Sequence, residues 1–525
     1  MKSPWRPGLD AATTPPSPGA GARWRPALWV TLLTVGLALL HAGVAASGLL
    51  SGDEAYYWLW SRRLQLSYFD HPGMAAWWLA ATTWLLGDSE LAVRLPSVLA
   101  AAAVTLLLYD TTRRACASTA AGLTAALWLN LTLLFGAAAV TATPDAPLLV
   151  FWALALWAMV RLMQGGGLGW LLLLALALGL GFTAKYTVVL IVPGLAVTFL
   201  AFRAGWRWLR RPLALALAAA LGLACTLPVL LWNARHDWVS FRKQLSHSFD
   251  TPVADPLASL GTFLGTQIGL VTPLLFGFCL WGIGWALWAG WRRRRPDWFV
   301  LGATALPVLL FFLHHAWGGL VQPHWAGPAW LGAIAAACGG WHAIGARFKA
   351  GPRWRLARRL FVAAPILGGV LIGVAYLQMA TALLPIPPKL DPLGRLGGWD
   401  RLAQAVATQR AAHPDAFVFV AKHELSGLLT FYLPDHPTVF LTGSGGVPRI
   451  PSYDGADVAA LAGRDGLFVI RTGTPAVEDI ARFFARVSRL DGIERRWGGR
   501  AIDRYEIWLG KSYQPGLFEE RRELP

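Results

Sequence analysis

Apolar runs long enough to cross a bilayer recur through the first 384 residues and narrow the possible folds more than any other feature. A helix needs about 20 apolar residues to span the hydrocarbon core. Eleven segments read as spans: about 27–47, 91–110, 118–138, 145–163, 168–184, 186–202, 212–232, 258–290, 297–313, 325–345 and 360–383. Only 14% of the residues are charged, where a soluble protein carries about 25%. The expected fold is a polytopic α-helical membrane protein. The eighth run is long enough to contain a bend or a preceding surface helix, with Pro273 to kink it. Met74–Leu86 is apolar but only half a span long, and fits a helix lying at the interface.

The net charge of +17, taken alone, suggests nucleic acid, but the basic residues sort by membrane side. One set of alternate loops, from the N-terminal tail to residues 347–359, holds 21 Lys and Arg. The opposite set, leaving out the C-terminal region, holds seven. The positive-inside rule places the richer set in the cytoplasm. With eleven spans, everything after about residue 384 then lies outside. Residues 1–26, rich in Pro, Gly and Ala, are expected to form a disordered cytoplasmic tail. The run at 27–47 is longer than the apolar region of a signal peptide and reads as an uncleaved first helix. The four cysteines fall in or beside apolar runs and suggest neither disulfides nor a thiolate metal site.

This orientation gathers the chemistry on one face. Asp53, Glu54, Asp70, His71, Asp145, Lys185, Arg235, Arg242, Lys243, His247 and His324 all fall at or near the outer ends of spans. Ionisable residues in such places are expensive and commonly functional. Asp53 and Glu54 open a short helix running to Arg63, whose Tyr56, Tyr57, Trp58 and Trp60 suggest an interfacial aromatic surface. Acids also cap helices, so structural readings stand beside functional ones for Asp53 and Asp145. Asp70-His71-Pro72 is either an ordinary turn or a fixed elbow, since proline restrains the residue before it. Lys185, between two spans with almost no loop, either snorkels to headgroups or meets a phosphate together with Arg235, Arg242 and Lys243. Asp70 and His247 together offer oxygen and nitrogen donors for a loose divalent-metal site.

From residue 385 the chain becomes polar. Strand-like runs (417–421, 438–441, 467–471 and 501–509) alternate with helical ones (399–410, 456–461 and 476–487), as in a small α/β domain. The expected division is a membrane part over 27–384 and an extracytoplasmic α/β domain over 385–525.

Asp53-Glu-Ala-Tyr-Tyr-Trp, Tyr68-Phe-Asp-His-Pro-Gly, Gly87-Asp-Ser-Glu-Leu-Ala-Val-Arg-Leu-Pro, Thr143-Pro-Asp-Ala-Pro, Ala184-Lys-Tyr and Pro323-His-Trp-Ala-Gly-Pro-Ala run in order across the membrane part. Together they resemble the bacterial protein-mannosyltransferase-like glycosyltransferases of the GT-C superfamily, including aminoarabinose and galacturonosyl transferases of lipid A. The resemblance implies a polyprenyl-phosphate-linked sugar donor. It also implies inverting transfer to an extracytoplasmic lipid, glycan or protein, by a monomer in the inner membrane. It makes Asp53 the catalytic base or acceptor organiser, with Glu54 as its supporting neighbour, and gives Asp70 the acidic position that can meet a metal. His71 stands where the aminoarabinose enzymes have a phosphate-binding lysine, and Tyr56 where they have an arginine. Both departures point to another subgroup, with Lys185 or the basics at 235–243 compensating. Tyr57, Tyr186 and His324 complete the expected pocket. The rival expectations are a lipid flippase, which needs a site at the membrane midplane, and a non-catalytic envelope scaffold.

Overall fold

The computed structural model describes residues 20–249, 253–345, 351–387, 390–441, 458–474 and 476–514. Most of the expected N-terminal tail lies outside them. The first helix, α1 (Ala20–Ala45), starts seven residues before the expected span. A short helix α2 (Gly52–Arg62) and the half-length α3 (Met74–Leu86) follow, and then α4 (Glu90–Cys116). The bounds of α3 are those expected, and Trp84, Leu85 and Leu86 at its end are exposed, as suits a helix lying against lipid. Ser51 caps α2 and Ser89 caps α4, each accepting a backbone N–H of the first turn.

The third apolar run is broken. α5 (Thr119–Asn130) and α6 (Leu133–Val140) meet at 69°, with Thr132 capping the second. α7 (Asp145–Met163) and α8 (Leu168–Ala184) are continuous. The next run forms a 3-10 turn, Tyr186–Ile191, and α9 (Val192–Ala201), then bends by 94° into α10 (Arg203–Leu209). α11 (Pro212–Arg235) leads to a corner helix, α12 (Val239–Phe249). The eighth run divides at Pro273, as expected, into α13 (Pro256–Val271) and α14 (Pro273–Arg292). Proline opens the second helix because its missing N–H is not needed in a first turn. α15 (Pro296–Gly318), α16 (Gly327–Gly345) and α17 (Pro352–Thr381) complete the bundle.

Each apolar run therefore falls on a helix or a helix pair, but the count of eleven crossings is not reproduced. Among the described residues seven helices are long and apolar enough to span, or nine if each bent pair is one crossing. α8 has only 17 residues. α16 has the length, but its many Gly and Ala make it a buried packing helix. Small residues let helices approach closely: a Cβ at Gly282 of α14 would lie 2.4 Å from the Ala337 backbone of α16.

After the bundle come α18 (Trp399–Ala412), β1 (Phe417–Val420), α19 (His423–Tyr432), β2 (Val439–Leu441), β3 (Gly466–Arg471), α20 (Ala476–Ala481), β4 (Phe484–Trp497) and β5 (Arg500–Tyr513). They form one sheet of order β2-β1-β3-β5-β4, parallel among the first three strands and antiparallel in the β3–β5 and β5–β4 pairs. Two expectations fail here. The helix expected at 476–487 ends at Ala481, and Phe484 begins a strand that pairs with β5 over most of its length. α19 was not expected at all, yet it is the element that docks this sheet domain onto the membrane part.

That docking also corrects the reading of α2 as a lipid-facing aromatic helix. Trp58 and Trp60 have no exposed surface and Tyr56 almost none. α2 lies under α19, so closely that a Cβ at Gly427 would stand 2.7 Å from the Ala55 carbonyl carbon. Trp58 packs edge-on against Phe431 of α19, and the Tyr432 hydroxyl accepts the Leu50 N–H at 2.7 Å and donates to Glu90 at 3.1 Å. The aromatics of α2 bind protein rather than headgroups.

Candidate active site

The segment between α1 and α3 shapes the site. In Ser51-Gly-Asp-Glu the Ser51 hydroxyl accepts the Glu54 N–H, and the Glu54 carboxylate accepts the Ser51 N–H at 2.8 Å. This reciprocal capping box sets where α2 begins. Glu54 also receives Arg94 Nε at 2.7 Å, Arg94 Nη2 at 2.9 Å and the Ala142 N–H at 3.0 Å. Arg94 gives its remaining donors to the carbonyls of Ala45, Gly48 and Leu49. Burial alone would raise the Glu54 carboxyl, but Arg94 and these N–H groups hold it below the usual range. A buried carboxylate with four donors on it is a tie between α1, α2, α4 and the loop before α7. It is not poised to take a proton, and we assign Glu54 to structure rather than to catalysis.

Asp53, one residue earlier, points the other way and is exposed. The protein around it, with Glu424 of α19 next, raises its carboxyl above the ordinary aspartate value, while Arg395 and His324 pull it down. Asp53 and Asp145 both raise the phenol of Tyr57, whose burial is the larger cause. Asp145, at the first turn of α7, accepts two hydrogen bonds from Lys185 at 2.8 and 3.0 Å, and His324 Nε2 lies 3.6 Å from it. Lys185 is almost fully buried, so it is a paired cation rather than a snorkelling one. His71 stands beside them. Burial, with Lys185 adding, pushes its pKa down to about 3, so its imidazole is neutral at physiological pH. Asp53, Tyr57, His71, Asp145, Lys185 and His324 thus form one continuous cluster.

A second group sits alongside. The Tyr56 hydroxyl donates to Asp70 at 2.9 Å, and Lys243 forms an ion pair with the same carboxylate. Tyr68 N–H to His71 carbonyl, with the Ser67–Pro72 bridge, closes a tight loop, which fits either the ordinary turn or the fixed elbow. Asp70, expected as a metal ligand with His247, is engaged by Lys243 and Tyr56, and the side chain of His247 lies outside the described residues. Tyr186 shares a hydrogen bond with Ser240 at 2.8 Å. Arg235 and Arg242 are exposed on the α11–α12 corner, and among the described residues no ion pair ties either to the cluster.

Three contributors were not foreseen, and all come from the C-terminal part. His423 and Glu424 open α19, and Arg395 sits in a 3-10 turn at Pro392–Leu396. Among the described residues Asp53, His423 and Glu424 bring their donor atoms within 4.8 Å of one another, and this mixed carboxylate–imidazole set suits a divalent cation. His423 also packs on Tyr56, ring centres 4.5 Å apart. Nothing local in the sequence marks these residues. Arg94 did carry a signal, as a lone charge within an apolar run.

Comparison with known proteins follows the same outline. Residues 70–232 match the family described as dolichyl-phosphate-mannose-protein mannosyltransferase. The chain is 32% identical over 280 residues to the lipid A galacturonosyltransferase RgtD of Rhizobium johnstonii, covering 53% of this chain and 58% of that one. It is 30% identical over 295 residues to an undecaprenyl phosphate-alpha-4-amino-4-deoxy-L-arabinose arabinosyl transferase of Sodalis glossinidius, covering 52% and 49%. The chain therefore spans about half the length of the curated relatives it matches. The apo structure of ArnT from Cupriavidus metallidurans superposes with a TM-score of 0.62 over 93% of this chain and 98% of that one, at 19% identity. The same protein bound to undecaprenyl phosphate gives 0.60 at 18% identity. The chain has the fold of ArnT: a helical bundle with a C-terminal α/β part.

Proposed function

We propose that this protein is an inverting glycosyltransferase of the bacterial inner membrane, using a polyprenyl-phosphate-linked sugar and an extracytoplasmic lipid, glycan or protein acceptor. The observation that carries the reading is the division of labour between adjacent acids: Glu54 is fully engaged within the fold, while Asp53 is open to the cluster and holds a raised carboxyl. A raised carboxylate is a better proton acceptor than an ordinary one. The relatives' printed names, which include a lipid A transferase and undecaprenyl-phosphate sugar transferases, supply the substrate class.

In this reading the donor's prenyl tail lies among the helices and its phosphate sits at the outer rim. The acceptor hydroxyl attacks the anomeric carbon from the face opposite the phosphate, and its proton passes to Asp53. The bond from the anomeric carbon to the phosphate oxygen breaks, and its electron pair stays on the phosphate. Because the phosphate leaves without being protonated, the protein's work is positioning, proton removal and charge stabilisation. Tyr57, His71 and His324 line the space between Asp53 and the Lys185–Asp145 pair and are assigned to holding the donor's head. The distribution of basic loops supports an extracytoplasmic site, with residues 27–384 as the transferase part and 385–525 as a domain closing over it.

Mass spectrometry of lipids and envelope glycans from a deletion strain tests this. A sugar mass lost on deletion, restored by wild type and not by Asp53→Asn, is the expected result. Unchanged glycolipids under conditions where the protein is made would reject the proposal.

A further inference from the structure

Within the described pocket, the cations that could meet a donor phosphate are already neutralised by the fold. Lys185 is paired with Asp145, Lys243 with Asp70 and Arg94 with Glu54, and His71 is neutral. Arg395 differs. It is exposed, no ion pair engages it among the described residues, and its charge acts on both Asp53 and His324.

An exposed arginine is ordinarily only a solvated surface residue. What sets Arg395 apart is how firmly its backbone is held. Asp391 caps the turn through the Leu393 N–H at 3.0 Å, and is itself held by Gln378 of α17 at 2.7 Å and Trp497 of β4 at 3.0 Å. Arg495, buried and braced by Asp503, donates to the carbonyls of Gly394 and Gly397 at 3.1 and 2.7 Å. The Trp399 indole stacks under the Arg495 guanidinium and donates to the Arg395 carbonyl at 2.8 Å. Leu396 is buried in the cluster formed with Ala45 and Met379, at the outer ends of α1 and α17. One five-residue turn is therefore fixed by side chains of three elements, beside the end of α1 that leads into Asp53.

We propose that Arg395 is the anion-binding residue which the C-terminal part contributes to the pocket, and that it receives a phosphate of the substrates. A guanidinium presents paired donors that match phosphate oxygens, and preorganising it lowers the cost of binding. The inference rests on the glycosyltransferase reading. The phosphate can belong to the lipid-linked donor or to a phosphorylated acceptor.

The test uses the full chain purified in detergent as wild type, Arg395→Gln and Arg395→Lys, with undecaprenyl phosphate as the donor-side probe. Lipid A and its dephosphorylated form are the acceptor-side probes. Loss of one charge-assisted contact predicts binding about tenfold weaker or more in R395Q. A smaller loss is expected in R395K, and the melting temperature should not change. Weakened undecaprenyl phosphate binding assigns the residue to the donor. A loss confined to phosphorylated lipid A assigns it to the acceptor. If R395Q binds every probe as wild type does, the inference is wrong. If the wild type binds none of them, the glycosyltransferase reading fails first.

Discussion

Arg94 and Glu54 meet through two hydrogen bonds of 2.7 and 2.9 Å, and neither side chain retains any exposed surface. They stand 40 residues apart in the chain, and their union fixes where α2 starts and hence where Asp53 points. Removing one partner strands a buried charge, which typically costs about 3–5 kcal/mol. Arg94→Met and Glu54→Leu should each lower the melting temperature markedly, while the double substitution should recover part of the loss. Thermal unfolding in detergent checks this. A loss in the double variant equal to the sum of the two single losses would show that the pair is not coupled.

The same pair predicts a pH dependence. The folded Glu54 carboxyl lies below its unfolded value, so its contribution is fully present above the unfolded pKa of about 4.3. It is lost as the pH falls through the lower, folded value. The stability gap between wild type and Glu54→Gln should therefore be constant near neutrality and shrink on acidification below about pH 4. A gap that widened in acid would reverse the sign of this argument.

Asp53→Asn should leave the fold intact and cut turnover by about 10²- to 10⁴-fold, the usual contribution of a positioned base. Because the base must be ionised, activity should rise with pH through an acid limb above the ordinary aspartate value of about 3.9. Glu424 raises the Asp53 carboxyl and Arg395 lowers it. Glu424→Gln should thus move the limb to lower pH and Arg395→Gln to higher pH. A pH profile of kcat/KM distinguishes both from simple loss of folding.

Lys185 and Asp145 are a buried pair of the same kind. Lys185→Met alone should destabilise by about 3–5 kcal/mol. Lys185→Met with Asp145→Leu should be closer to wild type in melting temperature, yet still inactive if the pair orders the pocket. Recovery of activity along with stability would demote the pair to packing.

Gly427→Leu tests the docking of α19. The added side chain would press on the Ala55–Tyr56 backbone, which cannot move aside without shifting α2. Overpacking of this sort costs about 1–3 kcal/mol. It should expose the α2–α19 seam to limited proteolysis and lower activity without disrupting the helical bundle. Unchanged cleavage and activity would mean that α19 is not part of the working site.

The apolar runs, the half-length α3, the break at Pro273 and the helix opened by Asp53 and Glu54 could all be read from the chain directly. Each depends on neighbours within about twenty residues: helix length against bilayer thickness, or a side chain reaching back one turn. The gathering of acids and bases at the ends of apolar runs was legible for a related reason, since charge is excluded from hydrocarbon wherever it stands. What the chain could not reveal was which charges would neutralise one another. That Glu54 would be tied by Arg94, Lys185 by Asp145 and Asp70 by Lys243, leaving Asp53 open, was decided when distant helices packed and each buried charge found a partner. The arrival of His423, Glu424 and Arg395 was decided in the same way. α19 is a ten-residue segment whose place depends on glycine-to-backbone contact with a helix more than 350 residues earlier, and no local pattern encodes a contact at that separation.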